Sequence, residues 1–164
     1  MENQIEKIQK IKLFILDVDG VLTDGKFYVS DDGKITRAFD AKDGYGLHYI
    51  MKKGIAIAII SGKDENSIRH RAKTLGITEL FLGSRDKLKP YRILKQQFDL
   101  RDEEISYIGD DVFDIPILEK VGFSCCPCDA VKDVKNVCDY VCKKPGGNGA
   151  VREVTDLIVK HQQL

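Results

Sequence analysis

Two short runs constrain the fold more than anything else in the chain. Ile11-Lys-Leu-Phe-Ile-Leu16 and Ile55-Ala-Ile-Ala-Ile-Ile60 are apolar at nearly every position rather than at every second one. A strand turns successive side chains to opposite faces, so a run apolar throughout must be covered on both. Elsewhere the spacing turns helical: Asp43 to Lys53, stopping at Gly54; Asp64 to Leu75, stopping at Gly76; Lys87 to Phe98; and a closing helix over Val151 to Gln162. Glu79 to Leu82 and Ile105 to Ile108 read as further short strands, with others near Phe123 and Tyr140. Buried strands alternating with amphipathic helices predict an α/β fold, a Rossmann-like doubly wound parallel sheet. Lys26 to Val29 and Ile35 to Phe39 flank Ser30-Asp-Asp-Gly-Lys34, which predicts a β-hairpin (about residues 26–39) inserted after the first strand. Without a linker or internal repeat, residues 1–164 are expected to form one domain.

In such a sheet a ligand sits at the carboxyl ends of the strands. The first strand runs into Asp17-Val-Asp19-Gly20, the second apolar run into Ser61-Gly62, and Ile105–Ile108 into Asp110-Asp111, with Asp114 just beyond. Lys87 opens the helix that follows Glu79 to Leu82. Parallel strands bring all these groups to one crevice. Carboxylates confined together repel and raise each other's pKa unless a cation sits among them. Oxygen donors with no histidine or cysteine suit a hard divalent cation such as Mg²⁺, which takes one or two carboxylates plus phosphate oxygens and water. Lys87 and Ser61 suit the oxygens of a transferring phosphoryl group, and a carboxylate beside metal and lysine can act as covalent nucleophile.

The order Asp-x-Asp-Gly-Val-x-Thr, Ser after an apolar strand, Lys, then Gly-Asp-Asp-x-x-Asp resembles the haloacid dehalogenase superfamily of phosphatases. By that resemblance Asp17 is the nucleophile and a metal ligand, and Asp19 protonates the leaving oxygen, activates water and ligates the metal through its backbone carbonyl. Asp110 completes the metal site, Asp111 or Asp114 supports it, and Ser61 and Lys87 hold the phosphoryl oxygens. Neither the interval from Asp19 to Ser61 nor that from Lys87 to Asp110 leaves room for a cap domain, so an oligomer is expected to cover the site. Asp17-Val-Asp-Gly-Val-Leu-Thr-Asp-Gly25, Asp43-Gly-Tyr-Gly46, Arg71-Ala-x-x-Leu-Gly-Ile77 and Gly146-Gly-x-Gly-Ala-Val-Arg-Glu153 narrow the likeness to the capless 3-deoxy-D-manno-octulosonate 8-phosphate phosphatases. That family implies a Mg²⁺-dependent homotetramer serving lipopolysaccharide synthesis. It also implies substrate contacts from Asp40, Ala41, Lys42, Asp43, Gly44, His48, Lys63, Arg71 and Lys87, besides Asp19. Lys42, His48 and Lys63 stand where the family has arginine, and Asp40 where it has asparagine. A nine-carbon sugar-acid phosphate is the close alternative substrate.

Other readings are carried beside this one. A receiver domain also gathers carboxylates, Ser or Thr and Lys around Mg²⁺, but its phosphorylated aspartate ends the third strand, where this chain has Leu82-Gly-Ser-Arg85. A non-catalytic oligomerisation module of the same fold is another. Gly146-Gly-Asn-Gly149 lacks the preceding strand of a phosphate loop and reads as a flexible hinge (about residues 145–164 with the last helix). Of the five cysteines, Cys125, Cys126, Cys128, Cys138 and Cys142, the spacings fit no standard zinc knuckle, and small buried hydrophobes are the simpler expectation. Lysine plus arginine balances aspartate plus glutamate at 26 each, which favours neither nucleic acid nor an anionic membrane. No apolar run approaches the ~20 residues of a membrane span, and the N-terminus has no apolar signal core, so a cytoplasmic location is expected.

Overall fold

A computed structural model describes residues 2–164. Six parallel strands form the sheet: β1 (Leu13–Leu16), β4 (Ala56–Ile60), β5 (Glu79–Phe81), β6 (Ile105–Ile108), β7 (Phe123–Cys126) and β8 (Tyr140–Val141), in the order β5-β4-β1-β6-β7-β8. The chain leaves β1 towards β4 on one side and returns to β6 on the other, so β1 is the switch point of the sheet. The inserted hairpin pairs β2 (Tyr28–Val29) with β3 (Ile35–Thr36), as the turn residues predict.

Alternation along β1 explains the two layers. Phe14 and Leu16 enter a core cluster built with α2 (Ala41–Lys52), α3 (Asn66–Leu75) and α7 (Ala150–Gln162), through residues such as Leu47, Ile68, Val154 and Ile158. Leu13 and Ile15 enter the opposite cluster with α4 (Leu88–Gln97), α5 (Ile115–Leu118) and α6 (Lys132–Val137), through Tyr91, Leu94, Ile117 and Val134. Both faces are covered, as the apolar runs require. Cys125 belongs to the first cluster and Cys126 to the second, so neighbours in sequence point through opposite faces and cannot share one ion.

Three helices escape the periodicity. α1 (Glu2–Gln9) buries Ile8 in the first cluster, and its Gln4 and Lys7 side chains reach Asp139. α5 and α6 are short, with only two or one buried positions each, too few for a periodic signal. α2 starts earlier than expected because the Asp40 side chain accepts from the N–H groups of Lys42 and Asp43 and caps it.

The glycine-rich segment makes specific backbone contacts. Gly146 N–H donates to Asp129 Oδ1 at 3.0 Å and Gly147 N–H to the Val21 carbonyl at 2.9 Å. A Cβ on Gly146 would lie 1.8 Å from the Gly20 carbonyl oxygen, so this position needs glycine for close backbone contact. Gly146→Ala is therefore expected to destabilise the fold by about 2 kcal/mol through forced backbone displacement. A lowered midpoint in urea unfolding, at unchanged slope, measures it.

Candidate active site

Strand register brings the acidic tips together. Leu16 pairs with Ile59 on one side and Ile108 on the other, so Asp17 emerges from the sheet centre between Ser61 and Asp110. Asp17, Asp19, Ser61 and Lys87 line one cleft of about 620 Å³, and Asp110, Asp111, Asp114 and Lys63 line it too. Lys87, at the N-terminus of α4, places Nζ 2.9 Å from Asp17 Oδ2 and 2.6 Å from Asp114 Oδ1. Asp114 has no exposure and accepts four donors: Lys87, the Tyr107 hydroxyl at 2.5 Å, and the N–H groups of Asp110 at 3.0 Å and Asp111 at 3.2 Å. Ser61 is buried at the end of β4, where its hydroxyl accepts from Lys63 N–H at 3.2 Å.

The balance of charge is the chemistry. Asp17, Asp110 and Asp114 can each turn an oxygen to within 4.8 Å of the others, against one ammonium. Burial pushes Asp17 up to about 7, against the pull of Lys87 and with the repulsion of Asp114. Burial, then the charges of Asp17 and Asp114, push Asp110 up to about 8. For Lys87 burial works downward, but the two carboxylates outweigh it and raise its pKa above the usual value. Asp110 Oδ1 is buried and has no hydrogen-bond partner among the described residues. A Cβ on Gly20, which has φ +87°, would lie 2.0 Å from Asp110 Oδ2, so only glycine leaves that carboxylate its place. An unpartnered carboxylate oxygen in an all-oxygen donor set fits a hard divalent cation.

Residues 77–154 match a family model described as haloacid dehalogenase-like hydrolase. The 3-deoxy-D-manno-octulosonate 8-phosphate phosphatase of Escherichia coli K12 is 42% identical over 158 residues, covering 96% of this chain and 84% of that protein. The crystal structure of the Yersinia pestis phosphatase of the same name superposes with a TM-score of 0.97 at 40% identity, over 99% of this chain and 88% of that one. The phosphatase of that name from Moraxella catarrhalis, solved with magnesium ion, phosphate ion and KDO, matches with a TM-score of 0.97 at 39% identity, over 99% of this chain and 94% of that one. This chain belongs to the 3-deoxy-D-manno-octulosonate 8-phosphate phosphatase family.

As a member of that family the chain is a haloacid dehalogenase-like hydrolase, which sets aside the receiver and non-catalytic readings. The cleft gathers the residues expected to handle a phosphoryl group but not the whole expected substrate set. Asp40 spends its side chain capping α2; Ala41, Lys42 and His48 are exposed along that helix. Asp43 is buried and accepts from Arg152 N–H at 2.7 Å and Gly149 N–H at 3.3 Å, which ties α2 to the start of α7. Burial raises its pKa, and those two N–H groups oppose the rise. Gly44 lies against the Arg71 guanidinium, whose Nη2 donates to the Asp40 carbonyl at 2.8 Å and whose plane stacks on Phe39. Four lining residues were not singled out from the sequence: Phe27 and Phe113, both largely exposed, and Ser84 and Arg85. Tyr107, and Arg37 against Asp19, were not singled out either. An apolar or charged residue in a loop carries no periodic signal that marks a cleft.

Mg²⁺ can enter only as the protons leave. Its dissociation constant is expected to tighten by roughly a hundredfold between pH 6 and pH 8, with proton release visible in calorimetry across buffers of different ionisation enthalpy. Carboxyls whose folded pKa lies above the unfolded value weaken the metal-free fold as pH rises from about 4 to 8. Added Mg²⁺ should accordingly raise Tm more at pH 8 than at pH 6.

Proposed function

We propose that this chain hydrolyses 3-deoxy-D-manno-octulosonate 8-phosphate to the free sugar acid and inorganic phosphate, in making a precursor of lipopolysaccharide. The observation that carries the reading is Lys87 held between Asp17 and Asp114, beside the unpartnered Asp110 oxygen, in a cleft that also holds Ser61 and Asp19. The Moraxella relative, bound to magnesium, phosphate and KDO, supports both the cation and the substrate class. Asp17, Asp110 and the Asp19 backbone carbonyl would hold Mg²⁺, with Asp111 and Asp114 supporting them. Bound there, the ion supplies positive charge for the crowded carboxylates and the phosphoryl oxygens.

The chain's own residues carry the steps. Lys87 and Ser61 bind the phosphoryl oxygens and orient phosphorus towards Asp17. An Asp17 oxygen forms a bond to phosphorus while the bond to the sugar oxygen breaks, and that oxygen takes a proton from the Asp19 carboxyl. A water oxygen then attacks phosphorus and gives its proton to the Asp19 carboxylate. The bond to Asp17 breaks, phosphate leaves, and both aspartates return to their starting states. Lys63, at the cleft wall, is suited to the substrate carboxylate.

The same reading makes residues 1–164 one hydrolase domain and extends to assembly. Phe27, Tyr28 and Val29 on the hairpin are 44%, 53% and 65% exposed, three apolar side chains whose exposure favours a homotetramer packed through hairpins, with neighbours covering the cleft. Five unpaired cysteines, and no helix among the described residues long and apolar enough to cross a membrane, accord with a cytoplasmic location.

Replacing the nucleophile tests the chemistry: Asp17→Asn should cut Mg²⁺-dependent phosphate release by about four orders of magnitude with the fold intact by circular dichroism. Unchanged turnover would refute the assignment. The ratio of kcat/KM for the eight- and nine-carbon sugar-acid phosphates should favour the eight-carbon ester. Light scattering should return four times the mass of the chain.

A further inference from the structure

Arg37 has no part in the scheme above, yet it holds Asp19, one of the carboxylates that line the cleft. It follows β3 on the outgoing arm of the hairpin, and its side chain is 0% exposed. Nε lies 2.7 Å from Asp19 Oδ1 and Nη2 3.2 Å from Asp19 Oδ2, a two-point grip on the carboxylate. Nη1 donates to Ser67 Oγ on α3 at 3.1 Å, and the guanidinium stacks on the Phe27 ring 5.0 Å from its centroid. One side chain thus joins the loop after β1, both arms of the hairpin and α3.

Among the described residues, the Asp19 carboxylate has no other hydrogen-bond donor. Asp19 lies in the loop leaving β1, so its backbone does not fix the side-chain rotamer. A parallel pair of N–H···O bonds does: it sets the carboxylate plane as well as its position. The grip is also hard to release, because a guanidinium with no exposure is costly without its counter-charge. Acid–base transfer depends on placing the proton-carrying oxygen within hydrogen-bond reach of the leaving oxygen and then of water.

We infer that Arg37 is a positioning residue for proton transfer: it holds the orientation of Asp19 and so makes that orientation depend on the hairpin. The inference rests on the reading of Asp19 as acid and base. Both proton transfers then pass through a group whose geometry is set by an inserted hairpin rather than by the sheet.

The test compares Arg37→Met and Arg37→Lys with the wild-type chain on two Mg²⁺-supported substrates: the sugar-acid phosphate and 4-nitrophenyl phosphate. The sugar oxygen needs a proton to leave; nitrophenolate does not. Arg37→Met should lower kcat on the sugar ester by about a hundredfold, with KM within threefold of wild type. On the aryl ester it should give a stopped-flow burst of about one nitrophenolate per site followed by slow turnover, since activating water still needs Asp19. Arg37→Lys, which keeps the charge but loses the two-point grip, should fold normally and show the same split at smaller amplitude. A loss confined to KM, burst and turnover falling together, or Arg37→Lys indistinguishable from wild type on both esters would overturn the clamp alone. A wild-type chain inactive on both esters would overturn the reading of the site, and the clamp with it.

Discussion

Three carboxylates at the ends of β1 and β6 share one buried ammonium, and the organisation of the cleft follows from that shortage of positive charge. Two unit charges 4 Å apart interact by roughly 4 kcal/mol at an effective dielectric near 20, so an uncompensated carboxylate in this cluster is a sizeable burden on a domain. The structure distributes it unevenly. Asp114 receives four donors and is fully satisfied; Asp17 has the lysine; Asp110 keeps an oxygen with no partner among the described residues. All three line the cleft, so the unsatisfied oxygen lies where a cation could reach it. A cation arriving there relieves repulsion that folding alone leaves in place, so metal binding and folding draw on the same electrostatics.

Placing charges this close requires backbone as well as side chains to approach. β1 is the innermost strand of the switch point, so Asp17 emerges with β4 on one side and β6 on the other. The turn that follows must pass under Asp110, and Gly20 allows it; Gly146 in turn lets the segment before α7 close on the Gly20 carbonyl. Asp43 secures that segment from the other side by accepting from Gly149 and Arg152. An acidic group near the N-terminus of α7 is favourable on its own account. Here it also braces the glycine segment against the loop that carries Asp17 and Asp19, so residues well outside the cleft bear on its geometry.

The sheet and the acidic cluster were legible in the sequence because each depends on local pattern. Apolar runs define strands, parallel pairing aligns their tips, and a carboxylate just after a strand has little choice of destination. Partnerships between distant segments were not legible. Nothing near Arg37 in the chain names Asp19 as its partner, and Asp43 carries no mark that it accepts from the start of α7. Helix α1 escaped for a different reason: Ile5 and Ile8 are its only apolar residues, and it is held by packing on α7 and by polar contacts to Asp139, neither of which periodicity reports. The close backbone contacts of the glycine run were not legible either, because glycine serves both mobility and close approach, and only the neighbouring backbone reveals the second.

An open cleft poses the remaining problem. Phosphoryl transfer gains from excluding water, yet no cap stands over Asp17 among the described residues, and Phe27 and Phe113 leave exposed rings at the rim. The strands of the hairpin pair with each other and with nothing in the main sheet, but Phe27 lines the cleft and Arg37 grips the Asp19 carboxylate. A partner that packs on Tyr28 and Val29 therefore bears on Phe27 and Arg37 together, and through Arg37 on the Asp19 carboxylate. On the proposed reading, the surface that would gather the oligomer and the group that would move the proton are two ends of one short hairpin, which would couple cover of the cleft to placement of the Asp19 carboxylate.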